Sequence, residues 1–193
     1  MTTDENDLSL EMRSLLSRFA HIKSDPLKKA LVYWLSLCSE ERLPELRDFN
    51  PAPLLDYAEH TWLVRRTEDG ADYDYIEAGH DISSPSANTL PGRTLAEATA
   101  PDAFPRVKRY FDRTLDTPCI THVTGQLYSE RSEPARGERL MMPVLEDGTP
   151  RYILGITVHN LALDGAFRNA PNRQVLTHTP IFSGPSSVTI RAL

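Results

Sequence analysis

The stretch that most constrains the fold covers residues 138–159 and has the pattern of a β-hairpin. Apolar residues alternate along two arms, and Glu-Asp-Gly-Thr-Pro between the arms favours a turn. The alternating residues are Leu140, Met142 and Val144 on the first arm and Tyr152, Leu154, Ile156 and Val158 on the second. Because successive side chains of a strand point to opposite faces, each arm has one apolar face that another part of the chain must cover. Pro143 lacks an amide hydrogen, which predicts a bulge or an unpaired amide position in the first arm.

Two amphipathic helices are predicted before the sheet. Apolar residues recur at spacings of four and three in the first helix, and Ser24-Asp25-Pro26 favours the start of the second. The two stripes are Leu8, Met12, Leu15, Phe19 and Ile22, and Leu27, Leu31, Trp34 and Cys38. Both stripes can pack on the sheet, or the first can pair with its copy in a second subunit, because its spacing is that of a coiled-coil seam. The sequence leaves both arrangements open.

The middle of the chain contains a second hairpin pattern and a third long helix. A charged, proline-rich connector over residues 40–53 precedes predicted strands over residues 62–66 and 73–78, which flank an Asp-Gly turn. Residues 81–93 are rich in Ser, Pro, Asn and Gly, which favours loops and short helical turns. A helix over residues 102–116 follows, with an apolar face formed by Phe104, Val107, Tyr110, Phe111, Thr114 and Leu115. We expect this helix to cover the apolar faces of the strands.

A β-branched run over residues 119–128 predicts one more strand before the first hairpin described above. Residues 160–193 show little periodicity, and only residues 188–191 have a strand-like pattern. We therefore expect a tail that crosses the surface or a neighbouring molecule. Strands on both sides of one helical segment predict an α+β domain with an antiparallel sheet that is covered on one face.

Length and composition argue against several classes of protein. A chain of 193 residues is expected to form one domain with extensions, and a net charge of -6 at pH 7 argues against binding nucleic acid. Cys38 and Cys119 lack the spacing of a disulfide framework or a zinc site. The N-terminus is acidic where a secretory signal is basic, and no apolar run approaches about 18 residues. These features predict a cytoplasmic protein that does not bind membranes.

Several segments resemble the bacterial family of short, stand-alone PAS proteins. They are Tyr33-Trp34 in the second helix, LPELRDFNPAPLL at residues 43–55, YDYIEAG at residues 73–79, PGRTLAEA at residues 91–98 and ERLMMPV at residues 138–144. The resemblance makes residues 27–159 a PAS-like domain, residues 1–26 an N-terminal helical extension and residues 160–193 a C-terminal tail. It implies a five-stranded antiparallel sheet with helices on one face that enclose a small-molecule pocket.

The chain departs from that family at the end of the second strand. The family has a basic residue in place of Ile76, an aliphatic one in place of Glu77 and a small hydroxyl residue in place of His80. Strand parity puts Tyr73, Tyr75 and Glu77 on one face. If that face is covered, the Glu77 carboxylate must be paired, protonated or bound to a ligand, because an isolated buried charge is costly. If the other face is covered, Glu77 is solvated.

Other motifs give weaker indications of chemistry. His122 and His159 can approach across a sheet, but no third ligand has suitable spacing, so neither a metal nor haem is predicted. The Asn-Cys-Arg-Phe run of flavin photosensors is missing from the sequence, which argues against photochemistry at Cys119. Neither a nucleophile elbow nor a phosphate-binding glycine loop is present, so catalysis has little support. No cofactor is assigned.

The sequence supports three hypotheses about function. The first is a PAS-type sensory or adaptor protein, which binds a small molecule or a protein partner and signals through an oligomer or through that partner. Its candidate ligand-binding residues are Tyr75, Glu77, Tyr110, His122, Tyr128 and Met142. The second is a cone-shaped α+β enzyme, an isomerase or hydratase with Glu77 or His122 as general base. The third is an interaction module that forms a homodimer through the first N-terminal helix, with Leu8, Met12, Leu15 and Phe19 at the interface.

Overall fold

The computed structural model describes residues 9–39, 42–83, 89–128, 135–161, 174–181 and 189–192. Its centre is an antiparallel sheet formed by β1 (Thr61–Arg66), β2 (Tyr73–Ala78), β3 (Cys119–Tyr128), β4 (Ala135–Glu146), β5 (Thr149–Leu161), β6 (Val175–Pro180) and β7 (Thr189–Ala192). The seven strands lie in the order β2-β1-β5-β4-β3-β6-β7. The predicted α+β class with an antiparallel sheet is confirmed.

In the described part of the chain the sheet is accompanied by five α-helices: α1 (Leu10–Ser17), α2 (Asp25–Leu37), α3 (His80–Ser83), α4 (Leu95–Ala98) and α5 (Phe104–Asp116). Short 3-10 segments at Leu46–Asp48 and Ala52–His60 lie in the connector before β1. Both α2 and α5 begin with proline in the first turn, where the missing amide hydrogen has no intrahelical partner to lose. No helix in the described ranges is long and apolar enough to cross a membrane.

The predicted β4–β5 hairpin is confirmed. Met142 is paired with Leu154, and the turn residues Asp147 and Gly148 have φ values of 49° and 78°, as a tight hairpin turn with two left-handed residues requires. The pairing of β4 with β3 ends at Met141, and the register with β5 shifts just after Val144. The predicted irregularity near Pro143 is therefore confirmed.

One face of the sheet, here called the α2 face, is covered by the N-terminal helices. Its buried side chains include Leu140, Met142, Val144, Leu154 and Ile156, and they form one apolar cluster with residues of α1 and α2. The indole of Trp34 is fully buried there and donates from Nε1 to the carbonyl of Pro143 at 3.1 Å. Both predicted helical stripes pack on the sheet of their own chain. Leu8 lies outside the described residues.

The opposite face, here called the α5 face, carries a second apolar cluster. Trp62, Tyr73, Met141 and Ile153 are buried in it with side chains of α5, and the Trp62 and Phe111 rings stack with centroids 5.7 Å apart. The expectations of a sheet covered on one face, and of α5 as the cover of the apolar face of the hairpin, are therefore wrong. Both strands of the hairpin carry apolar side chains on the two faces of the sheet, so both faces must be covered by other parts of the chain.

The expectation of only five strands is also wrong, because residues of the predicted tail extend the sheet. β6 pairs with the free edge of β3, and β7 then pairs with β6. The segment VLTHTP of β6 has few apolar residues, so its periodicity is weak, and its strand conformation depends on the edge that it covers. The strand-like pattern at residues 188–191 corresponds to β7, although Val188 lies outside the described residues.

The connector before β1 is fixed to the turn of the β4–β5 hairpin. The Glu45 side chain is 5% exposed and accepts a hydrogen bond from the Gly148 amide at 2.9 Å. The Leu145 amide donates to the Pro44 carbonyl, also at 2.9 Å. The connector therefore passes over the α2 face beside α2 and leads to the 3-10 segment at Ala52–His60, which lies against the β1–β2 edge.

Candidate functional site

The candidate site is an apolar cavity of about 540 Å³ on the α2 face, at the β1–β2 edge of the sheet. We call it the edge groove. One wall comes from the connector and its 3-10 segments, namely Leu46, Phe49, Asn50, Pro51, Leu54, Leu55 and Ala58. The other wall comes from the sheet, namely Thr61, Trp62, Leu63, Ile76, Glu77, Ala78, Gly79, Val144 and Leu154.

The two walls meet where Gly79 follows β2. A Cβ atom on Gly79 would lie 2.1 Å from the carbonyl oxygen of Ala58, so only glycine permits this approach of the 3-10 segment. The amide of Gly79 also donates to the Thr61 carbonyl at 2.8 Å, which continues the β1–β2 pairing to the end of the groove. The glycine that ends this strand in the resembling motif thus closes one end of the edge groove.

Large apolar side chains of the edge groove are open to solvent. Leu55 is 64% exposed and Ile76 is 41% exposed. An exposed leucine alone is ordinary, but two such residues around an apolar cavity give a surface patch of the kind that marks ligand or partner sites. Among the described residues of the lining, Glu77 alone is charged, and it is exposed.

A β-bulge places Glu77 in this lining. Leu63 is paired with Glu77 and Val64 with Tyr75, so Ile76 is an extra residue in β2. Glu77 therefore shares the α2 face with Leu63, whereas Tyr75 packs with the cluster on the α5 face. The predicted parity, which put Tyr75 and Glu77 on one face, is wrong because uniform alternation cannot anticipate the inserted residue.

The edge groove is connected to α2 by a tyrosine. The hydroxyl of Tyr33 donates to the Asn50 carbonyl at 2.7 Å and accepts from the Asn50 amide at 2.8 Å. The Tyr33 ring also meets Phe49 edge to face, with centroids 5.9 Å apart. Asn50 and Phe49 both line the groove, so two hydrogen bonds and a ring contact join this wall to α2. In the Tyr-Trp pair, Tyr33 contacts the groove wall and Trp34 bonds to β4.

The other predicted ligand-binding residues do not converge on one cavity. Tyr110 is 4% exposed and packs with Tyr75 on the α5 face. Met142 is fully buried on the α2 face, and His122 lies on that face too, but on β3. Tyr128 ends β3, and its side chain lies outside the described part of the structure.

A second polar arrangement on the α2 face surrounds His122, which is 3% exposed. Its Nδ1 lies 3.2 Å from Nε2 of His21, in the α1–α2 connection, and its Nε2 lies 3.8 Å from Oε1 of Glu138. The Glu138 carboxylate accepts hydrogen bonds from two backbone amides, that of Lys23 at 3.1 and 3.2 Å and that of Ser24 at 2.9 Å. Glu138 thereby ties the start of α2 to β4.

Burial, and to a smaller extent the neighbouring His21, lowers the pKa of His122 to about 4. The Glu138 carboxylate lies beyond hydrogen-bond distance of His122 and instead accepts hydrogen bonds from the backbone amides of Lys23 and Ser24. His122 is therefore neutral near pH 7. The enzyme hypothesis named Glu77 or His122 as general base; the two lie four strands apart in the sheet, and the Glu138 carboxylate is 3.8 Å from His122, beyond hydrogen-bond distance.

The role of Glu138 could have been inferred from the sequence, although a search for apolar patterns alone does not find it. Glu138 has the same strand parity as Leu140, Met142 and Val144, and an acid in an otherwise apolar register must be satisfied by donors when buried. His21 and Asn50 had no such signal, because their positions depend on how the connections fold back. His122 and His159 do not approach each other, since His159 points to the other face and lies 3.2 Å from the Asp81 carbonyl.

Comparison with known proteins gives one match. A family model described as a PAS domain matches residues 22–158, well over half of the chain. No curated protein and no solved structure matches the chain. The matched range begins in the α1–α2 connection, ends in β5 and contains both walls of the edge groove.

Proposed function

Since the chain belongs to the PAS domain family, which indicates a sensory or signalling role, we propose that it is a sensory or adaptor protein that binds a small apolar molecule in the edge groove. The observation that carries the proposal is the 540 Å³ apolar cavity, whose wall is hydrogen-bonded to α2 through Tyr33. Ligand cavities in proteins have about 300–1,000 Å³ and a mostly apolar lining with few polar groups. The edge groove has both properties.

The lining also favours one chemical type of ligand. Glu77 is at the rim and is exposed, so it can accept a hydrogen bond from a ligand without a large desolvation cost. A ligand with an apolar body and an amine or N–H group complements this arrangement. A carboxylate on the ligand would be repelled by Glu77.

We propose that binding is signalled through α2. A ligand that separates the walls displaces the segment around Phe49 and Asn50, and the two hydrogen bonds of Tyr33 carry that displacement to α2. α1 packs on α2, so the exposed surface of the N-terminal helices changes with occupancy. This surface is the one available to a partner protein or to a second copy of the chain.

The ligand site is tested with N-phenylnaphthylamine, a neutral apolar fluorophore with one N–H group, and with native mass spectrometry of the purified chain. Leu55→Glu places a charge in the exposed part of the lining and should weaken fluorophore binding about tenfold or more. Thr117→Glu is the matched control, because Thr117 is exposed at the end of α5 and is not part of the groove lining. Equal fluorophore affinities of the two variants would refute the edge groove as the site.

We also propose a homodimer through the N-terminal helices, with the exposed side of α1 at the interface. Met12 and Leu15 are 6% and 5% exposed and face their own sheet, whereas Leu10 is 80% exposed. Light scattering after size exclusion should find a dimer for the wild type and a lower mass for Leu10→Glu at the same concentration. A wild-type monomer at all concentrations would rule this interface out. Cytoplasmic location and a separate signalling partner stay predictions.

A further inference from the structure

We infer that Glu59, His60 and Asp81 form a binding site for a divalent transition-metal ion of the zinc type. The three side chains offer one imidazole nitrogen and two carboxylate oxygens, and these ligand atoms all lie within 4.8 Å of one another. The inference is independent of the edge-groove ligand.

The pairing of β1 with β2 creates this arrangement. His60 is the last residue of the 3-10 segment and directly precedes β1, and Asp81 lies in α3, three residues after β2. The two strands are antiparallel, with Trp62 opposite Ala78, so the chain entering β1 lies beside the chain leaving β2. Residues far apart in sequence are thus held together by main-chain hydrogen bonds rather than by the side chains themselves.

The distance between His60 and Asp81 is that expected between two ligands of one ion. Nδ1 of His60 lies 3.1 Å from Oδ2 of Asp81, yet that buried nitrogen has no hydrogen-bond partner among the described residues. Oε1 of Glu59 lies 3.5 Å from the other ring nitrogen, Nε2. A single ion binds only one of the two nitrogens, so with Nδ1 as the ligand Asp81 is the near carboxylate and Glu59 is the more distant one, within the 4.8 Å of the group. Bonds of about 2.0–2.1 Å in tetrahedral geometry put neighbouring N and O ligand atoms roughly 3.3 Å apart. Close atoms that do not point at each other are expected where a cation lies between them.

The surroundings also hold the ligands in place. The side chain of His60 is 18% exposed, and Nε2 of His159 lies 3.2 Å from the Asp81 carbonyl, to which it donates. Such outer contacts orient metal ligands. One nitrogen and two oxygens favour zinc and its neighbours over calcium or magnesium, which prefer all-oxygen sites. A bound ion would join the 3-10 segment to α3 across the end of the edge groove.

The test is calorimetric titration of the full chain, without an affinity tag, with zinc chloride after removal of trace metal. The wild type should bind one ion in the micromolar range or tighter, and His60→Ala and Asp81→Asn should each weaken binding at least tenfold. His80→Ala is the matched control, since the exposed His80 is the neighbour of Asp81 but outside the group. Its affinity should equal that of the wild type.

Cobalt gives a second readout that reports coordination directly. The wild type with cobalt chloride should develop the visible absorption of a low-symmetry four- or five-coordinate site, and Asp81→Asn should lose it while its circular dichroism stays native. Absence of saturable zinc binding by the wild type, or unchanged zinc affinity in both ligand variants, would overturn the inference. Groove binding of N-phenylnaphthylamine is measured without metal, so the two proposals fail separately.

Discussion

At the scale of single residues, two ionisable side chains on the α2 face have opposite environments. Glu77 is exposed at the rim of an apolar cavity, where its charge is solvated and available to a ligand. His122 is enclosed between β3 and the α1–α2 connection, where protonation would create a charge with little access to water. The first residue can select a ligand, and the second makes the packing of the helices sensitive to acid.

The His122 environment predicts an acid-dependent loss of stability. The pKa of this histidine is about 4 in the folded chain against 6.5 when solvated, so between these values the unfolded chain binds more protons than the folded one. The stabilisation that depends on neutral His122 is fully present above pH 6.5 and is lost as pH falls towards 4. Between pH 7 and pH 5 it amounts to roughly 2 kcal/mol.

Urea unfolding of the wild type and of His122→Gln at both pH values checks this effect. Glutamine cannot titrate in this range, so the wild type should lose roughly 2 kcal/mol more than the variant on acidification. His21 and Glu138 face His122 and remain in both proteins. Equal losses would show that His122 does not couple protonation to folding.

Glu77 should select between apolar ligands of opposite charge. Octylamine should displace N-phenylnaphthylamine from the edge groove at lower concentration than octanoate, because the Glu77 carboxylate attracts the amine and repels the acid. In Glu77→Gln the ratio of the displacing concentrations of octanoate and octylamine should fall towards one. The fall should be about tenfold or less, as expected for the loss of one exposed charge. Octanoate that displaces the fluorophore better than octylamine from the wild type would contradict this role of Glu77.

At the scale of elements, α2 connects three parts of the molecule. Its start is held by Glu138 of β4, its Trp34 is bonded to the Pro143 carbonyl, and its Tyr33 is bonded to Asn50 in the groove wall. A helix fixed to the sheet at two points and hydrogen-bonded to the connector at a third can follow a displacement of the connector through that third contact. We therefore expect Tyr33 to be a main link between groove and helix.

Removing the Tyr33 hydroxyl should uncouple the groove wall from α2. Tyr33→Phe leaves the contact with the Phe49 ring but removes both hydrogen bonds to Asn50, and we expect it to lower the free energy of unfolding by about 1–2 kcal/mol. Amide hydrogen exchange should accelerate at residues 49–55. Tyr57→Phe is the control, because its hydroxyl has no hydrogen bond among the described residues, and it should change neither quantity. Unchanged exchange in Tyr33→Phe would argue against this link.

Most elements could be predicted because each has a strong local pattern. The period of two in β4 and β5 and the apolar stripe of α5 fixed the element types and the inward-facing residues, since both patterns depend only on local geometry. Which helix covers which face could not be predicted. An apolar stripe shows that a helix has a partner, but α2 and α5 have similar stripes and the sheet has two apolar faces.

The candidate site was harder to predict than the fold. The edge groove depends on the Ile76 bulge, on the approach of Ala58 to Gly79 and on the course of the connector, none of which follows from periodicity. Glu77 is part of the groove, but it lies there because of the Ile76 bulge, which a uniform alternation of side chains does not include. β6 was also not predicted from the sequence. Its apolar pattern is weak, and it is a strand because it pairs with the edge of β3.

At the scale of the whole molecule, the antiparallel sheet separates two apolar clusters with different surroundings. The α5 face is filled by packed aromatic rings such as Trp62, Tyr73 and Phe111. The α2 face is filled beneath α1 and α2 but leaves the edge groove beside β1 and β2. We propose that the molecule receives its ligand on the α2 face, next to the helices through which binding is signalled.

The most direct test of that claim is a methyl NMR titration of the chain with N-phenylnaphthylamine, whose rings shift nearby methyl signals strongly. We predict shifts for Leu54, Leu63 and Leu154, which line the edge groove. The methyl groups of Leu115, Val123 and Ile153 are buried on the α5 face and should keep their positions. Shifts confined to these last three residues would place the ligand between α5 and the sheet and would contradict the account.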